Sequence, residues 1–564
     1  MPQSILQRER VVARLGRPLP DAALEDLLFT SKAEIEAQDA DSLTLSVTPD
    51  RLDLLSEGGL VLYLEGVMGL AGGLPPLRIV AAPEPAPAFE VDRSVGRIRP
   101  IIAGFLATAP DDAGLDAGTL AEAIRFQELL HASVGRERRT ASLGIYPYDR
   151  LQPPFRYAAE PLRRVRFVPL GASEEVEATA FFRDHPMAQR HGPLGRDGER
   201  CLTLRDAGGV VLSLPPVLNS RAGGEARVGD RRLLVESTGG RPRPVREALG
   251  LLSVVFASRG WTLSPIPVHA RGPARSDGAS LLAPRPVDLS SRTLRALAGM
   301  DWTAAEVEER LARARLGPSA RRGGWRVDTP PWRPDLLAAV DVAEDVILAQ
   351  ALRADEGIVP PSRTRGQRRP ESRFRRAFAS YLLGLGFVAP YTSLLVSEDG
   401  VARVPGAAPI RLAYPVSAEF AFVRDRLLLS HLQVLARNTR YGYPQRIGEV
   451  GPVVLRAPAA EPGAETRTHA AMVIASESAS FAEAGALVDQ LLRLVDVGSV
   501  REPAELPGTI PGRAARVRVA GEAVAEIGEI HPDVIAALGV PVPIAWAEVD
   551  LNALRPLVGG PEAP

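Results

Sequence analysis

The chain has 564 residues, of which 45% are hydrophobic and 24% charged, and its 67 Lys and Arg residues are balanced by 68 Asp and Glu. This composition is typical of folded globular proteins and excludes the disordered and membrane-spanning classes, and the length predicts roughly three or four domains of about 100–200 residues. The single cysteine, Cys201, excludes an internal disulfide. Because no apolar segment of signal-peptide length opens the sequence, we expect a cytoplasmic protein with no membrane contact.

A weak internal repeat flanks the middle of the chain. The run TPDRLDLL at residues 48–55 is echoed by TPPWRPDLL at residues 329–337. An alternating strand precedes each copy, a proline-fixed turn follows, and the aspartate after the turn can cap the next helix. We predict these strands at residues 43–47 and 325–328, within two copies of one small helix/strand module that span residues 1–85 and 284–355.

Between the copies, residues 90–275 are predicted to form a domain of their own. A segment rich in proline and alanine, residues 81–89, leads into it. Predicted strands alternate here with helices such as 116–135, which is typical of an α+β sheet domain. The predicted strands are residues 165–168, 210–214 and 232–236.

The last predicted domain covers residues 360–555. It opens with an amphipathic helix, in which Phe374, Phe378 and Leu382 recur at helical spacing. The strands predicted after it are residues 449–455, 471–475 and 523–530. This mixture of strands and helices predicts a final α/β domain.

The sharpest group of candidate ligands is acidic. Asp341, Glu344 and Asp345 fall at i, i+3 and i+4 of a predicted helix, and Asp335 precedes them. Carboxylates on one helix face repel each other unless a cation offsets them, and an all-oxygen site suits Mg²⁺. A solvated acidic face near the positive end of the helix dipole is the alternative. The matching positions of the first copy carry no acid: Gly59, Leu62 and Tyr63.

A second candidate is polar rather than acidic. Asn219 and Ser220 follow a proline-rich turn, and Glu236 and Thr238 lie on the next strand. Such side chains can line a polar pocket or hold a water molecule. Ordinary turn capping is the alternative, and it is the commoner use of these residue types.

Three common catalytic and nucleotide-binding motifs are missing from the sequence. There is no GxxxxGK[ST] loop, no GxGxxG after a strand and no GxSxG elbow. The sequence therefore gives little support to an enzyme that uses a nucleotide by itself.

Ten ordered segments resemble one family, the beta subunit of phenylalanine–tRNA ligase in its shorter archaeal and eukaryotic form. They run over about 490 residues, and together they are specific although each alone is weak. The segments are VTPDRLDLLS (47–56), LLHASVGRERR (129–139), PPFRY (153–157), FVPLG (167–171), LSLPPVLNS (212–220), PPWRPDLLAAVDVAEDV (330–346), YPVSAEF with Arg424 (414–424), YPQRIGEVG (443–451), IPGRAAR (510–516) and IGEIHPDV (527–534).

The resemblance implies an α+β multidomain architecture: two small helix/strand modules flank an editing module, and a noncatalytic class II synthetase-like domain follows. After residue 360 there is neither an FRxE signature nor a GxGxxR segment, in agreement with a noncatalytic domain. The resemblance also implies an α₂β₂ heterotetramer that charges tRNA(Phe), in which phenylalanine and ATP bind the alpha subunit. Mg²⁺ would be shared with that subunit through the family pattern at Asp335, Asp341, Glu344 and Asp345.

For the editing module, the resemblance implies hydrolysis of tyrosine wrongly attached to tRNA(Phe), since a hydrophobic pocket rejects one added hydroxyl only weakly. Asn219, Ser220, Glu236 and Thr238 match the positions that would line that site. The sequence departs from the family in two places: Arg221 stands where an acid usually follows the Asn-Ser pair, and Gly144-Ile145-Tyr146-Pro147 replaces a Gly-x-His-Asp run.

These departures leave editing open and keep two other functions under consideration. One is a paralogue that activates a phenylalanine-like amino acid outside translation with a divergent alpha subunit. The other is a tRNA-binding regulator with no reaction of its own.

Overall fold

The computed structural model describes residues 2–29, 31–39, 41–81, 86–96, 98–270, 281–349, 359 and 364–559. The chain divides into two compact units, Met1–Val359 and Pro360–Pro564, and each is described by itself. The boundaries predicted at residues 1, 85, 275, 355 and 360, and residues 82–85 of the predicted linker, lie outside the described residues.

The first repeat copy forms a small sheet with helices. Its elements are β1 (Gln3–Gln7), α1 (Arg8–Leu15), α2 (Asp21–Phe29), β2 (Ala33–Gln38), β3 (Ser42–Val47), α3 (Glu57–Val67) and β4 (Arg78–Ile79). Strand β3 confirms the predicted alternation and pairs antiparallel with β1 and β2 in the order β1-β3-β2. Its side chains Leu43, Leu45 and Val47 are buried, and they join the hydrophobic core of the first unit.

The middle of the first unit contains two larger sheets. Its elements are β5 (Phe89–Val91), β6 (Ile101–Thr108), α4 (Ala117–Ala132), β7 (Ala141–Pro147), β8 (Phe155–Pro161), β9 (Arg166–Phe167), β10 (Val176–Glu177), α5 (Ala178–Asp184), α6 (Pro186–His191), β11 (Arg196–Asp197), β12 (Arg200–Arg205), β13 (Val211–Leu214), β14 (Leu218–Asn219), α7 (Arg221–Gly224), β15 (Arg232–Gly239), α8 (Pro242–Ala257), β16 (Thr262–Pro265) and β17 (Val268–Ala270). One sheet has the order β4-β16-β6-β15-β7, and the other has the order β14-β13-β12-β8-β5-β17, with β11 beside β12.

The packing of these two sheets creates the space for a site. Helices α4 and α8 pack on the first sheet, and their apolar faces complete the largest core of the unit. Side chains of both sheets form a separate core, in which Tyr146 and Leu234 of one sheet meet Phe155, Tyr157 and Leu202 of the other. The polar positions of β7, β13 and β15 therefore lie beside a well-packed apolar layer, which holds them in place.

The second repeat copy repeats the plan of the first. Its elements are β18 (Arg285–Ser290), α9 (Ser291–Ala298), α10 (Ala304–Arg313), β19 (Gly317–Arg321), β20 (Gly324–Thr329) and α11 (Ala339–Leu348). The central strand β20 contains the predicted strand 325–328 and pairs with both neighbours in the order β18-β20-β19. Trp325 and Val327 of this strand are buried against α9, α10 and α11.

The second unit is built on a six-stranded antiparallel sheet. Its elements are α12 (Pro370–Gly384), β21 (Leu395–Val396), α13 (Glu398–Ala402), β22 (Ile410–Arg411), β23 (Phe422–Val423), α14 (Leu428–Arg437), β24 (Gln445–Arg456), β25 (Ala464–Ala475), α15 (Phe481–Leu494), β26 (Val500–Pro503), β27 (Thr509–Val519), β28 (Glu522–Ile530), α16 (Pro532–Leu538), β29 (Ile544–Asp550) and α17 (Leu551–Leu554). The strand order is β24-β25-β29-β28-β27-β26. Helices α12 and α15 cover one face of this sheet, as the predicted amphipathic helix requires.

The structure confirms a mixed α/β multidomain chain and corrects two local predictions. The aspartate after the turn caps no helix: Asp53 and Asp335 bind neighbouring arginines, and Ser56 caps α3 instead. The strand predicted at 165–168 is only the two residues of β9, because a turn of 3₁₀ helix ends just before it. Within the described ranges, every helix is too short or too polar to span a lipid bilayer.

Candidate functional site

A cavity of about 440 Å³, with a mostly apolar lining, opens between the two sheets of the middle region. Tyr146, Ser213, Asn219 and Glu236 are among the residues that line it. They come from the neighbouring strands β7 and β15 of one sheet and from β13 and β14 of the other. The cavity therefore brings together two of the four predicted editing residues, Asn219 and Glu236.

The centre of the cavity is a contact between Tyr146 and Glu236. Glu236 lies opposite Gly144 in the β7–β15 pairing, and Tyr146 is two residues further along β7 on the same side of the sheet. The Tyr146 hydroxyl donates a hydrogen bond to Oε1 of Glu236 (2.9 Å) and lies 2.9 Å from Oγ of Ser213. A Cβ at Gly144 would lie 2.2 Å from that hydroxyl oxygen, so only glycine leaves room for the contact.

Glu236 is a fully buried acid of this cavity, and its pKa is raised. Burial raises the pKa of Glu236 to about 7, although the hydrogen bond from Tyr146 and the charge of Arg99 act in the opposite direction. Its second oxygen, Oε2, has no hydrogen-bond partner although it is buried. Burial also raises the pKa of Tyr146 well above its usual range, so the phenol keeps its proton. The cavity thus presents one buried carboxyl oxygen that is free to receive a polar group.

The two remaining predicted residues have structural partners of their own. Thr238 Oγ1 accepts a hydrogen bond from Nε of Arg99 (2.9 Å) and lies 3.0 Å from Oγ of Ser142. Ser220 caps helix α7 by accepting from the amide of Gly223 (3.1 Å). Neither side chain belongs to the walls of the cavity.

The departures from the family pattern also have definite positions. Arg221 donates to the carbonyl of Ala172 (3.2 Å) and does not line the cavity. Pro147 stands at the position of the family's acid and ends strand β7. A proline side chain has no carboxylate, so this position supplies no acid to the cavity.

Sequence reasoning missed a charged group in the cavity wall. Arg138 binds both carboxylate oxygens of Glu128 at 2.9 and 3.0 Å, and it also donates to the carbonyls of Pro216 and Val217. Nδ1 of His131 lies 3.1 Å from Glu128, and Nε2 accepts from the amide of Leu143, while burial lowers the pKa of His131. Both His131 and Arg138 lie in the family-like segment LLHASVGRERR, and that segment could have indicated that they belong to the site.

The four predicted magnesium ligands do not converge on one point. Arg333 binds Asp335, with Nη2 2.7 Å from Oδ2, and the same nitrogen lies 3.1 Å from Oδ1 of Asp345. The equivalent pair of the first copy, Arg51 and Asp53, makes the same two-point contact at 3.0 Å. Burial and Arg333 oppose the charge of Arg51, but Asp53 and Asp345 outweigh them and raise the pKa of Arg51. These five side chains form one buried charge cluster that joins the two repeat copies.

The other two acids lie outside this cluster. Oδ2 of Asp341 accepts from the amides of Leu337 and Ala338 at the start of α11, both at 2.8 Å. Glu344 is exposed and binds Lys32, the single lysine of the chain, at 2.8 Å. Among the described residues, no three His, Cys, Asp or Glu side chains converge as a metal ion requires. The four carboxylates in this arrangement do not fit a Mg²⁺ ion, which needs oxygen ligands around one point. The magnesium site stays a prediction.

Two family models match the chain. One, described as the phenylalanyl tRNA synthetase beta chain CLM domain, matches residues 357–551, and the other, described as the tRNA synthetase B5 domain, matches residues 287–350. The B5 match contains most of β18, strands β19 and β20 and helix α11, and the CLM match contains the six-stranded sheet.

Known proteins resemble the chain over almost all of its length. It is 29% identical over 554 residues to the phenylalanine–tRNA ligase beta subunit of Korarchaeum cryptofilum, covering 96% of this chain and 97% of that one. It is 28% identical over 563 residues to the same subunit of Pyrococcus furiosus, covering 98% of this chain and 100% of that one.

A solved structure agrees with these relatives. The crystal structure of an N-terminal fragment of the phenylalanyl-tRNA synthetase beta subunit from Pyrococcus horikoshii superposes with a TM-score of 0.56 at 25% identity. The match covers 62% of this chain and 99% of that fragment. The relatives, the family models and the solved structure therefore agree in one similarity, to the beta subunits of phenylalanine–tRNA ligases.

Proposed function

We propose that this chain works as the beta subunit of an enzyme that attaches phenylalanine to tRNA(Phe) at the expense of ATP. The observation that carries the proposal is the similarity over 96% of the chain to a phenylalanine–tRNA ligase beta subunit, together with the B5 and CLM matches. Phenylalanine and ATP bind the separate alpha subunit in this proposal, and the beta chain supplies assembly and tRNA contacts.

The finer features of the complex belong to the same proposal. We infer an α₂β₂ heterotetramer in the cytoplasm, with Mg²⁺ and ATP as its cofactor and substrate. The mass of the purified complex, measured by light scattering, tests the stoichiometry. Metal analysis of the same complex tests whether Mg²⁺ is retained at Asp335, Asp341, Glu344 and Asp345.

Aminoacylation tests the main proposal. The chain is co-expressed with the class II alpha subunit of its own genome, and charging of tRNA(Phe) with phenylalanine is followed for the complex and for each subunit alone. We expect charging by the complex only. A well-formed complex that does not charge tRNA(Phe), but catalyses exchange of pyrophosphate with another amino acid, would support the paralogue instead.

The cavity at Glu236 favours a second activity, hydrolytic editing. We infer that the free Oε2 of Glu236 receives the hydroxyl of a tyrosine wrongly attached to tRNA(Phe), while water breaks the ester bond and releases tyrosine and tRNA. A buried oxygen without a partner is destabilising, so a ligand that hydrogen-bonds to it gains more than one that cannot. Phenylalanine lacks the hydroxyl and gains nothing at this point.

Hydrolysis of tyrosyl-tRNA(Phe) by the complex tests editing. Glu236→Gln keeps the shape of the side chain and removes its charge, and we expect hydrolysis to slow at least about tenfold, the loss of one hydrogen bond to a charged group. Glu160→Gln is the matched control, because Glu160 binds Arg205 on strand β12 and does not line the cavity. Equal hydrolysis by both variants and the unaltered complex would contradict the role of Glu236 without affecting the charging proposal.

A further inference from the structure

A strained turn lies at the wall of the cavity that contains Glu236. The amide of Arg139 donates to the carbonyl of Arg136 (3.3 Å), which closes a four-residue turn around Glu137 and Arg138. Arg136, Glu137 and Arg138 have φ angles of 47°, 57° and 65°. This left-handed region is unfavourable for residues with a side chain, and a run of it is held only where the surrounding structure fixes it. Such strain is concentrated at binding sites, so the turn calls for a functional explanation.

Arg138 anchors the turn to the cavity. Its guanidinium binds Glu128 and donates to the carbonyls of Pro216 and Val217 at 3.2 and 2.9 Å. All four residues line the cavity, and Arg138 is only 8% exposed. Because these contacts occupy its guanidinium, Arg138 sets the position of the turn and is not itself available to a ligand.

The residues on either side of this anchor are exposed arginines. Arg136 and Arg139 occupy the first and last positions of the turn, so their Cα atoms lie within about 7 Å of each other. Arg241, which precedes α8, is exposed as well. The last pair of the β7–β15 ladder is Ala141 with Gly239, and Arg139 and Arg241 each lie two residues beyond it. The three arginines therefore share one end of this ladder.

No acid neutralises these three arginines. Among the described residues, the side chains of Arg136, Arg139 and Arg241 make no ion pair and no hydrogen bond. Glu137, the exposed acid of the turn, binds Arg190 instead, at 2.7 Å. The donors of all three guanidinium groups are therefore available to a ligand.

Local electrostatics oppose this arrangement. The turn brings the like charges of Arg136 and Arg139 together, and Arg241 lies at the positive end of the α8 dipole. The positive field extends to the neighbouring His191, because burial lowers the pKa of His191 and the charges of two nearby arginines lower it further. An anion bound at this end of the ladder would offset all of these repulsions.

The chemistry of the arginines restricts the anion. A guanidinium binds a phosphate group through two parallel N–H bonds, and several arginines side by side suit a chain of phosphates. Residues 132–142 and 239–244 contain no aromatic side chain on which a base could stack. The expected contacts are therefore to a phosphate backbone and carry no base specificity.

We propose that Arg136, Arg139 and Arg241 bind the phosphodiester backbone near the single-stranded 3′ end of tRNA and guide the aminoacyl end into the cavity at Glu236. The choice of tRNA rests on the proposed editing function, in which this cavity receives the aminoacyl group. The three arginines are positioning residues, and they take no part in breaking the ester bond.

Binding of a short RNA tests the proposal without any hydrolysis. The probe is a fluorescently labelled five-nucleotide RNA with the 3′-terminal sequence of tRNA(Phe), titrated with the full chain at several salt concentrations. Each phosphate contact to a single strand contributes about 0.7 to the slope of log binding constant against log salt concentration. We expect the double variant Arg136→Gln/Arg139→Gln to reduce that slope by about 1.4 and to weaken binding about tenfold or more at low salt.

A second arginine pair supplies the matched control. Arg163 and Arg164 are also exposed, have no partner among the described residues, and do not line the cavity. Arg163→Gln/Arg164→Gln therefore removes the same charge from the same region, and we expect it to leave the affinity and the slope unchanged. Arg241→Gln lies outside the strained turn and should reduce the slope by about 0.7. It decides the question if the double variant melts at a lower temperature than the control.

Hydrolysis by the complex separates a phosphate contact from damage to the cavity. The two substrates are tyrosyl-tRNA(Phe) and the tyrosyl ester of adenosine, which has no phosphate. For Arg136→Gln/Arg139→Gln we expect kcat/KM to fall about tenfold or more on the tRNA and to stay unchanged on the adenosine ester. Equal losses on both substrates would contradict a phosphate contact.

Three binding results would overturn the proposal: the RNA does not bind the full chain, the arginine variants bind it like the control, or polyglutamate of the same charge competes as well as the RNA. The last result would indicate an acidic protein partner. A chain that binds the RNA through these arginines, in a complex that hydrolyses neither substrate, would contradict the editing activity and support the phosphate site.

Discussion

The hydroxyl of Tyr146 donates a hydrogen bond to one carboxyl oxygen of Glu236. The hydroxyl lies in space that is open only because residue 144 is a glycine. The phenol is completely buried, and its second neighbour, Ser213, belongs to the other sheet. Tyr146 therefore links the two sheets that form the cavity walls by hydrogen bonds. Oε2 of Glu236 is left without a hydrogen-bond partner. The predictions for this site depend on that arrangement.

Tyr146→Phe should destabilise the first unit by about 1–3 kcal/mol, because it leaves both oxygens of Glu236 buried without a donor. The same change should raise the pKa of Glu236 further, since the hydrogen bond from Tyr146 lowers it. Denaturant unfolding measures the first effect. Tyr148→Phe is the control, because the Tyr148 hydroxyl makes no hydrogen bond to the described residues, and it should change stability far less. Equal losses in the two variants would contradict the role given to the hydroxyl.

Stability around strand β15 should fall as pH rises, and Glu236→Gln should abolish that dependence. Burial raises the pKa of Glu236 from 4.5 to about 7, so the folded state holds a proton that the unfolded state has already released. The stability that this proton contributes is fully present below pH 4.5 and is lost as pH rises through about 7. Between about pH 5 and pH 8 the loss amounts to about 2 to 3 kcal/mol. Hydrogen exchange of the β15 amides measures it, and an identical pH profile for Glu236→Gln would sink the assignment.

Arg333→Met should destabilise the chain by about 3–5 kcal/mol, because one guanidinium holds two buried carboxylates. Asp345→Asn should have a much smaller effect. Three acids face two arginines in this cluster, and burial raises the pKa of Asp345, so its charge is the most dispensable. Lys32→Met removes a cation from partly exposed pairs and should change stability by less than about 1 kcal/mol. Thermal unfolding ranks the three variants, and a loss for Asp345→Asn as large as that for Arg333→Met would refute the cluster model.

Removal of Mg²⁺ should leave the melting temperature of the chain alone unchanged. Asp335, Glu344 and Asp345 already have cationic partners, and Asp341 is held by two backbone amides. A ligand that binds only the folded state stabilises it by RT ln(1 + c/Kd), where c is the ligand concentration, so it raises the melting temperature as its concentration exceeds Kd. Calorimetry in magnesium buffer and after chelation is the direct comparison, and a clear increase with the metal would establish the predicted site in this subunit.

Sequence periodicity was sufficient for the elements with one buried face. The alternating strands β3 and β20, the long strand β24 and the amphipathic helix α12 all appear where their patterns predict them. Periodicity reports which face of an element is buried, and these elements each have one such face. The strand predicted at residues 165–168 was too long, because a segment as short as the two-residue β9 has no period that would fix its ends.

The candidate site was harder to predict, because it depends on contacts between residues far apart in sequence. Asn219 and Glu236 line one cavity, and their editing role stays a prediction, whereas Tyr146 was interpreted only as the loss of a histidine. Its contact with Glu236 follows from cross-strand register, which one sequence does not contain. In the acidic group, helical spacing indicated a shared face, whereas burial of Asp345 and exposure of Glu344 gave them different partners.

The two repeat copies carry the same arginine-x-aspartate clamp, Arg51 with Asp53 and Arg333 with Asp335, and Asp345 lies between them. A buried charge cluster of this kind restricts which substitutions the sequence can accept during evolution. A lineage that loses one arginine has to lose an acid as well, or leave a buried charge without a counterion. Among related chains, positions 51, 53, 333, 335 and 345 should therefore change together.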